Sequence, residues 1–279
     1  MKRFVNVPEC WEEMTPKQFK YLLKLFFRMM INPKIEPEDI LNDFADYLMG
    51  RKRYIFPLQQ ERYLVLIHQL AQHLSWLFEL DDEGKVSLAF ITTQNLIPSI
   101  QGLLGPQSHG SDLLFGEYRL AVDLFNRYTQ EHDIEDLNAL VGVLYRKAVK
   151  ETDFSEFNGQ YREPFNKYLI EKYHDRAVSL PDYLKWGVYL WFGSLCRYIV
   201  TGGEFIIEGN TVSFESIFQR GKEDPDERQV NSIGMTSVLF SLADAGTFGN
   251  AEQTDETELF KVLLKLLHDK QTIDEMNRQ

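Results

Sequence analysis

Cysteine that could pair is missing from this chain: of its 279 residues only Cys10 and Cys196 are cysteines, far apart and in no ligand-like spacing. A disulfide scaffold and a thiolate metal centre are therefore excluded, and both thiols are expected reduced, as in a cytoplasmic protein. Proline (10) and glycine (17) are too sparse for a low-complexity or disordered chain. Positive charge is short as well. Thirty Lys and Arg face 42 Asp and Glu, a net charge of −12, which speaks against a nucleic-acid binder, since that needs a basic face to displace phosphate counterions. Long hydrophobic runs are absent too. The densest, Tyr183 to Val200, is interrupted by Lys185 and Arg197 and falls short of the roughly 20 residues a spanning helix needs. It predicts a buried central helix and no membrane partner. No apolar run follows Lys2 and Arg3, so no secretory leader is expected.

The motifs of chemistry are also lacking. No phosphate-cradling GxxxxGK[ST] or dinucleotide GxGxxG occurs. His68 and His73 project about 140° apart around a helix, whereas paired ligands share one face. Ser108 stands beside His109, but the string GPQSHG is not the nucleophile elbow GxSxG. The acidic run from Glu223 to Glu227 lacks the alternation and central glycine of a calcium loop. No catalytic residue, cofactor or metal is expected, and the reading is that the protein is not an enzyme. Charge is unevenly spread: residues 1–64 hold 11 Lys and Arg against 9 Asp and Glu, while residues 222–258 hold 2 against 9. Arg51, Lys52 and Arg53 are read as a solvated helix end, with a contact site as the sharper alternative.

What is present is apolar mass, 44% of the chain, including 20 Phe, 13 Tyr and 4 Trp. Such rings fill a core or form a partner surface. Thr15-Pro16-Lys17-Gln18 reads as a capped helix start, with Phe19, Leu22, Leu23, Phe26 and Met30 on its core face. Further helices are predicted from Pro37 to Gly50, from Pro57 towards Leu77, over 117–130, 134–147 and 165–173, from Pro181 to Gly202, over 230–242, and from Thr254 to Lys270. Residues 81–112 predict short extended pieces, with a surface loop over 98–112 that is either functional or a passive connection. The Gly209-Asn210 pair between Glu204–Glu208 and Thr211–Phe214 predicts a two-residue hairpin. In that register Ile207 faces Val212 and Phe205 faces Phe214, one apolar face. The fold class is thus mainly α, a multi-helix globular protein with a minor β-hairpin at 205–214. Its N-terminal helical region (1–80) and the region 81–279 are either two units or one continuous domain. An isolated hairpin is marginal in water, so Phe205, Ile207, Val212 and Phe214 form a candidate docking surface. It is covered either by a partner or by the chain's own helix from Pro181, through Trp186, Leu190 and Trp191.

Several strings stand together from about residue 100 onward: Gly105-Pro106, Phe115-Gly116-Glu117-Tyr118, Leu144-Tyr145-Arg146, Arg162-Glu163-Pro164-Phe165-Asn166, and Leu259-Phe260 with Leu263-Leu264. Through them the chain resembles a family of proteins encoded in bacterial prophages and related mobile elements, near tail-structure genes. Trp11 to Pro16 matches more loosely. The resemblance implies a part in tail assembly, as an acidic helical chaperone for a tail protein or as a structural adaptor, with a phage-like tail protein or a second copy as partner. The rival expectation is an enzyme whose site is assembled from loops 105–117, 151–164 and 221–228.

Overall fold

In the computed structural model, which describes residues 7–53, 55–80, 86–149, 161–218 and 235–277, helix α1 (Pro16–Ile31) begins where the sequence places it. Thr15 Oγ1 accepts from the Gln18 amide while the Gln18 side chain accepts from the Thr15 amide, a reciprocal cap whose threonine contributes about 1 kcal/mol. Phe19, Leu22, Leu23, Leu25 and Phe26 are buried on one face. Helix α2 (Pro37–Leu48) follows, and Gly50 takes a φ of +84° beyond its end, a conformation open to glycine at no steric cost. Helix α3 (Pro57–His73) stops earlier than expected, giving way to a 3₁₀ turn over Ser75–Leu77.

An unpredicted strand β1 (Phe78–Leu80) comes first, and the stretch predicted as extended pieces then holds β2 (Val86–Leu88), β3 (Ser99–Ile100) and β4 (Leu103–Leu104). The expected surface loop over 98–112 is exposed at Pro98, Ser99, Gln101, Gly102, Gln107, His109 and Ser111, and it is anchored by buried residues within it and on either side. Leu96, Ile97, Ile100, Leu103 and Leu113 are buried, as are Thr93, Asn95 and Asp112. Non-local bonds make this burial tolerable: Asn95 Nδ2 donates to the Pro106 carbonyl at 2.7 Å, and Tyr145 Oη donates to the Ile97 carbonyl at 2.7 Å. Helix α4 (Phe115–Glu131) and helix α5 (Ile134–Leu144) come next, and β5 (Arg146–Lys147) adds to β4, Leu104 opposite Arg146.

Helix α6 (Ile170–Val178) starts later than predicted, after a 3₁₀ turn over Lys167–Leu169 that Asn166 initiates by accepting from the Tyr168 amide. Helix α7 (Asp182–Val200) is the expected central element, packed against α1, α4 and α5. Its Lys185 is buried, with Nζ donating to Asn138 Oδ1 at 2.8 Å and to the Val178 carbonyl at 3.1 Å. Among the described residues no helix is long and apolar enough to cross a membrane. The hairpin β6 (Glu204–Ile207) and β7 (Asn210–Ser213) leads into the short α8 (Glu215–Phe218).

Helix α9 (Met235–Asp244) is described only from Met235, so Val230 and Ile233 lie outside the described residues. The predicted last helix is broken in two, α10 (Ala251–Asp255) and α11 (Leu259–Asn277). Between them the backbone is diverted to the start of α4: the Phe115 amide donates to the Thr257 carbonyl and the Leu259 amide to the Leu113 carbonyl, both at 2.8 Å. Helix α11 also continues past Lys270, since Lys265 and Lys270 each meet an aspartate four residues on, Asp269 and Asp274. Eleven helices and small antiparallel sheets among the described residues make a mainly α protein. Residues on both sides of position 80 share one buried core.

Candidate docking groove

The hairpin's apolar face is where the sequence puts it, but its register is not. Phe205 opposes Val212 and Ile207 opposes Asn210, so the turn falls on Glu208-Gly209 rather than Gly209-Asn210. Both turn residues are left-handed, with φ of 51° and 82°, as a type I′ turn requires. That turn places its glycine second, which moves the loop one residue back and the pairing by two. A shift of two preserves the faces. Phe205, Ile207 and Val212 remain together, with Phe214 following just after the strand.

Phe205 and Phe214 are buried, and Ile207 and Val212 are half-buried. The cover comes from inside the chain, in part from the expected helix α7, though through Tyr198 rather than Trp186 or Trp191. Phe205 meets Tyr198 edge-on at 5.2 Å and Phe260 of α11 at 5.0 Å, and Phe214 stacks on Phe260 at 6.0 Å. Tyr198 Oη also donates to the Glu204 carbonyl and accepts from the Glu204 amide, pinning the first strand residue. Trp186 is occupied elsewhere, stacked on Phe26 at 5.0 Å, and Trp191 Nε1 donates to the Thr93 carbonyl.

Beside this cover lies a groove of about 740 Å³. One wall is the outer part of the hairpin, Glu204 to Glu208; the other is α11 with Glu258, Lys261 and Leu264; Ile91, Thr93, His109 and Ser111 close it. Ile206 is 82% exposed and Ile91 68% exposed, while Glu12, Glu204, Glu208 and Glu258 line the same space. Burial works to raise the Glu12 carboxyl, but hydrogen bonds, among them one donated by the Thr92 hydroxyl at 2.6 Å, hold it below its usual range. The groove is apolar with an acidic border. His109 Nδ1 lies 2.7 Å from Thr93 Oγ1, and no carboxylate orients that ring by a hydrogen bond among the described residues. Ser108 Oγ accepts from the Asn95 amide, a loop-fixing role.

The loops proposed for an enzyme site do not all meet here. Residues 151–160 and 221–228 lie outside the described residues. Loop 105–117 and residues 161–164 come together instead in a buried ionic cluster. Glu117 Oε1 accepts from Arg146 Nη1 at 2.8 Å and from Arg162 Nη1 at 2.5 Å, and Arg162 Nε lies 3.3 Å from Asp112 Oδ2. Burial would raise the Glu117 carboxyl, but the two guanidinium groups outweigh it and hold it below the carboxylate range. Further guanidinium hydrogens go to carbonyls of Val143, Leu144, Asp112 and Glu163. The cluster is closed and nearly satisfied: Arg162 Nε, buried, makes no hydrogen bond and keeps only its ion-pair contact with Asp112. It joins the strings around Glu117, Arg146 and Arg162, while Gly105 gives room to the Tyr145 ring, which would stand 2.5 Å from an added Cβ. Sequence reasoning missed it, since its members are 29 and 45 residues apart.

The basic trio is partly spent as well: Arg51 lies over the Tyr21 ring at 4.8 Å and the Tyr47 ring at 5.8 Å, in a depression that Asp43 and Asp46 also line. Among the described residues no group of three or more His, Cys, Asp and Glu is placed to hold a metal ion. Comparison with protein-family models, with curated proteins and with solved structures finds no match.

Proposed function

We propose that this protein is a non-enzymatic protein-interaction module whose hairpin groove receives an apolar segment flanked by basic side chains. One observation carries the reading: the apolar Ile206 and Ile91 stand exposed on a groove lined by four glutamates. An apolar chain segment entering it would lose water from those side chains, and basic flanks would meet Glu12, Glu204 and Glu208, Glu258 being already paired with Lys261 at 3.2 Å. The setting proposed with it is cytoplasmic phage-like tail assembly, in which the chain acts as a chaperone or adaptor for a tail protein. The sequence strings gathered around Glu117 are the support for that setting.

The test is fluorescence anisotropy with labelled peptides of leucine and lysine, against peptides with glutamate in place of lysine. Salt-sensitive binding of the basic series, lost in Ile206→Asp and weakened in Glu204→Lys, is the expected result. Equal binding of both series, or binding indifferent to Ile206→Asp, would overturn the reading. A second reading, an enzyme using the same groove, is favoured by the Thr93–His109 pair, a hydroxyl within reach of a ring nitrogen. It requires hydrolytic turnover of an ester or amide probe that disappears in His109→Ala.

A further inference from the structure

Helix α3 has two apolar sides, and only one of them is used. Tyr63, Ile67 and Ala71 face inward. On the opposite side Leu58, Val65 and Leu66 are 60%, 57% and 51% exposed, and the approach to the helix adds Ile55 and Phe56, both exposed. Single exposed apolar residues are ordinary on a protein surface, but a contiguous set is not. Positions 58, 61, 62, 65 and 66 are neighbours on one face of a helix, by their spacings of three and four. Glu61 and Arg62 therefore sit within the apolar stripe, and they share a shallow depression with Val65 and Leu66. Among the described residues neither of these two charges is in an ion pair.

We infer that this face of α3 is a self-association surface, and that its occupant is the same face of a second copy, run antiparallel. The order of side chains is self-complementary. A two-fold axis between positions 61 and 62 sets Leu58 over the second copy's Val65 and Glu61 over the second copy's Arg62, and repeats both contacts on the other side. Overall charge favours this location. Two chains of −12 repel each other, but the stretch 1–64, with 11 Lys and Arg against 9 Asp and Glu, is not acidic, so the copies approach where repulsion is least. A lipid surface fits less well, because the face carries one cation and one anion rather than the basic border of an interfacial helix. The contact is one helix wide, smaller than the roughly 800 Å² per partner of a stable complex, so the dimer is a weak one. This surface shares no residue with the hairpin groove and does not depend on the function proposed for it.

Sedimentation velocity on the full chain, from low micromolar to several hundred micromolar, tests the inference. A concentration-dependent monomer–dimer equilibrium is expected, and Val65→Asp should abolish it while leaving the far-UV spectrum and melting temperature unchanged, since Val65 is exposed. Glu61→Arg alone should weaken the dimer about tenfold by setting Arg against Arg, and Arg62→Glu alone should do the same. The double variant E61R/R62E should restore association, which nonspecific stickiness would not do. Ile206→Asp, in the hairpin groove, should leave the dimer intact. A chain that is monomeric throughout, a dimer indifferent to Val65→Asp, or a double variant no stronger than the single ones would overturn the inference.

Discussion

Around Glu117 the protein buries four charged side chains, whereas along α3 it leaves apolar ones in water. The two regions depart from the ordinary division of polar outside and apolar inside in opposite directions, and their completeness differs. Glu117 accepts from two arginines, Asp112 lies against one of them, and backbone carbonyls take further guanidinium hydrogens. One buried nitrogen, Arg162 Nε, is left without a hydrogen bond, and every other charged group is met from within the chain. The outer face of α3 has apolar side chains without cover and two opposite charges set among them. A departure that is satisfied internally reads as architecture; one left open reads as a surface for something else.

The largest effect should come from opening the closed region. Glu117→Ala leaves two buried guanidinium groups without their shared carboxylate, and removing one partner of a buried ionic group costs about 3–5 kcal/mol. Urea unfolding should show that loss, while Leu58→Ala on the outer face of α3 should stay within about 0.5 kcal/mol of wild type at concentrations where the protein is monomeric. Equal costs at the two positions would break the comparison.

Next comes the hairpin, which contains both situations within ten residues. Phe214 lies in the core against Phe260 and Phe205, so Phe214→Ala should cost about 3–5 kcal/mol, less where the site can collapse. Ile206 on the same hairpin points outward, and Ile206→Ala should barely move the melting temperature. If Phe214→Ala melted like wild type, the internal cover described for Phe205 and Phe214 would be wrong.

These two cases also mark what the amino-acid sequence makes legible. The cap at Thr15 and Gln18 is local chemistry, and so is the apolar face of the hairpin, since both follow from residues within a few positions of one another. The hairpin register failed by two because Gly209 suits the second turn position better than the first, and Glu208 tolerates a left-handed conformation. The loop over 98–112 keeps an exposed side, but its anchors, Asn95 and Tyr145, are not legible locally because Tyr145 is brought in by tertiary contacts. The ionic cluster has no local signature at all. Of the groove, only Phe205 and Ile207 belong to the docking surface that the sequence suggests; Glu12, Ile91, Glu258 and Lys261 come from distant segments.

A smaller effect separates charge from shape in the closed region. Because the arginines hold the Glu117 carboxyl below its ordinary value, it contributes stability that is present above the unfolded value of about 4.3 and lost as pH falls through the lower folded one. Glu117→Gln keeps the side chain's shape without the charge. The stability gap between wild type and this variant should therefore be full at neutral pH and narrow progressively below about pH 4.3. Urea titrations at several pH values measure it. A gap that widened on acidification would reverse the sign and remove the ionic account of the cluster.

The smallest effect concerns a single atom. Cys196 of α7 is half-buried as a residue, but its thiol is turned into the protein beside Tyr118, and burial pushes it up to about 12. The hydrogen bond with Tyr118 acts the other way and is the weaker influence. Since the thiolate is the reacting species, alkylation by iodoacetamide at pH 8 should be on the order of a thousandfold slower than for a free thiol with its ordinary value near 8.5. Mass spectrometry of the native protein should find Cys196 unmodified under conditions that label it completely in urea. Tyr118→Phe should leave it just as slow, because the substitution removes the minor influence and keeps the burial. Rapid native labelling of Cys196 would mean that this part of α7 opens to solvent, and would move it from the closed side of the comparison to the open one.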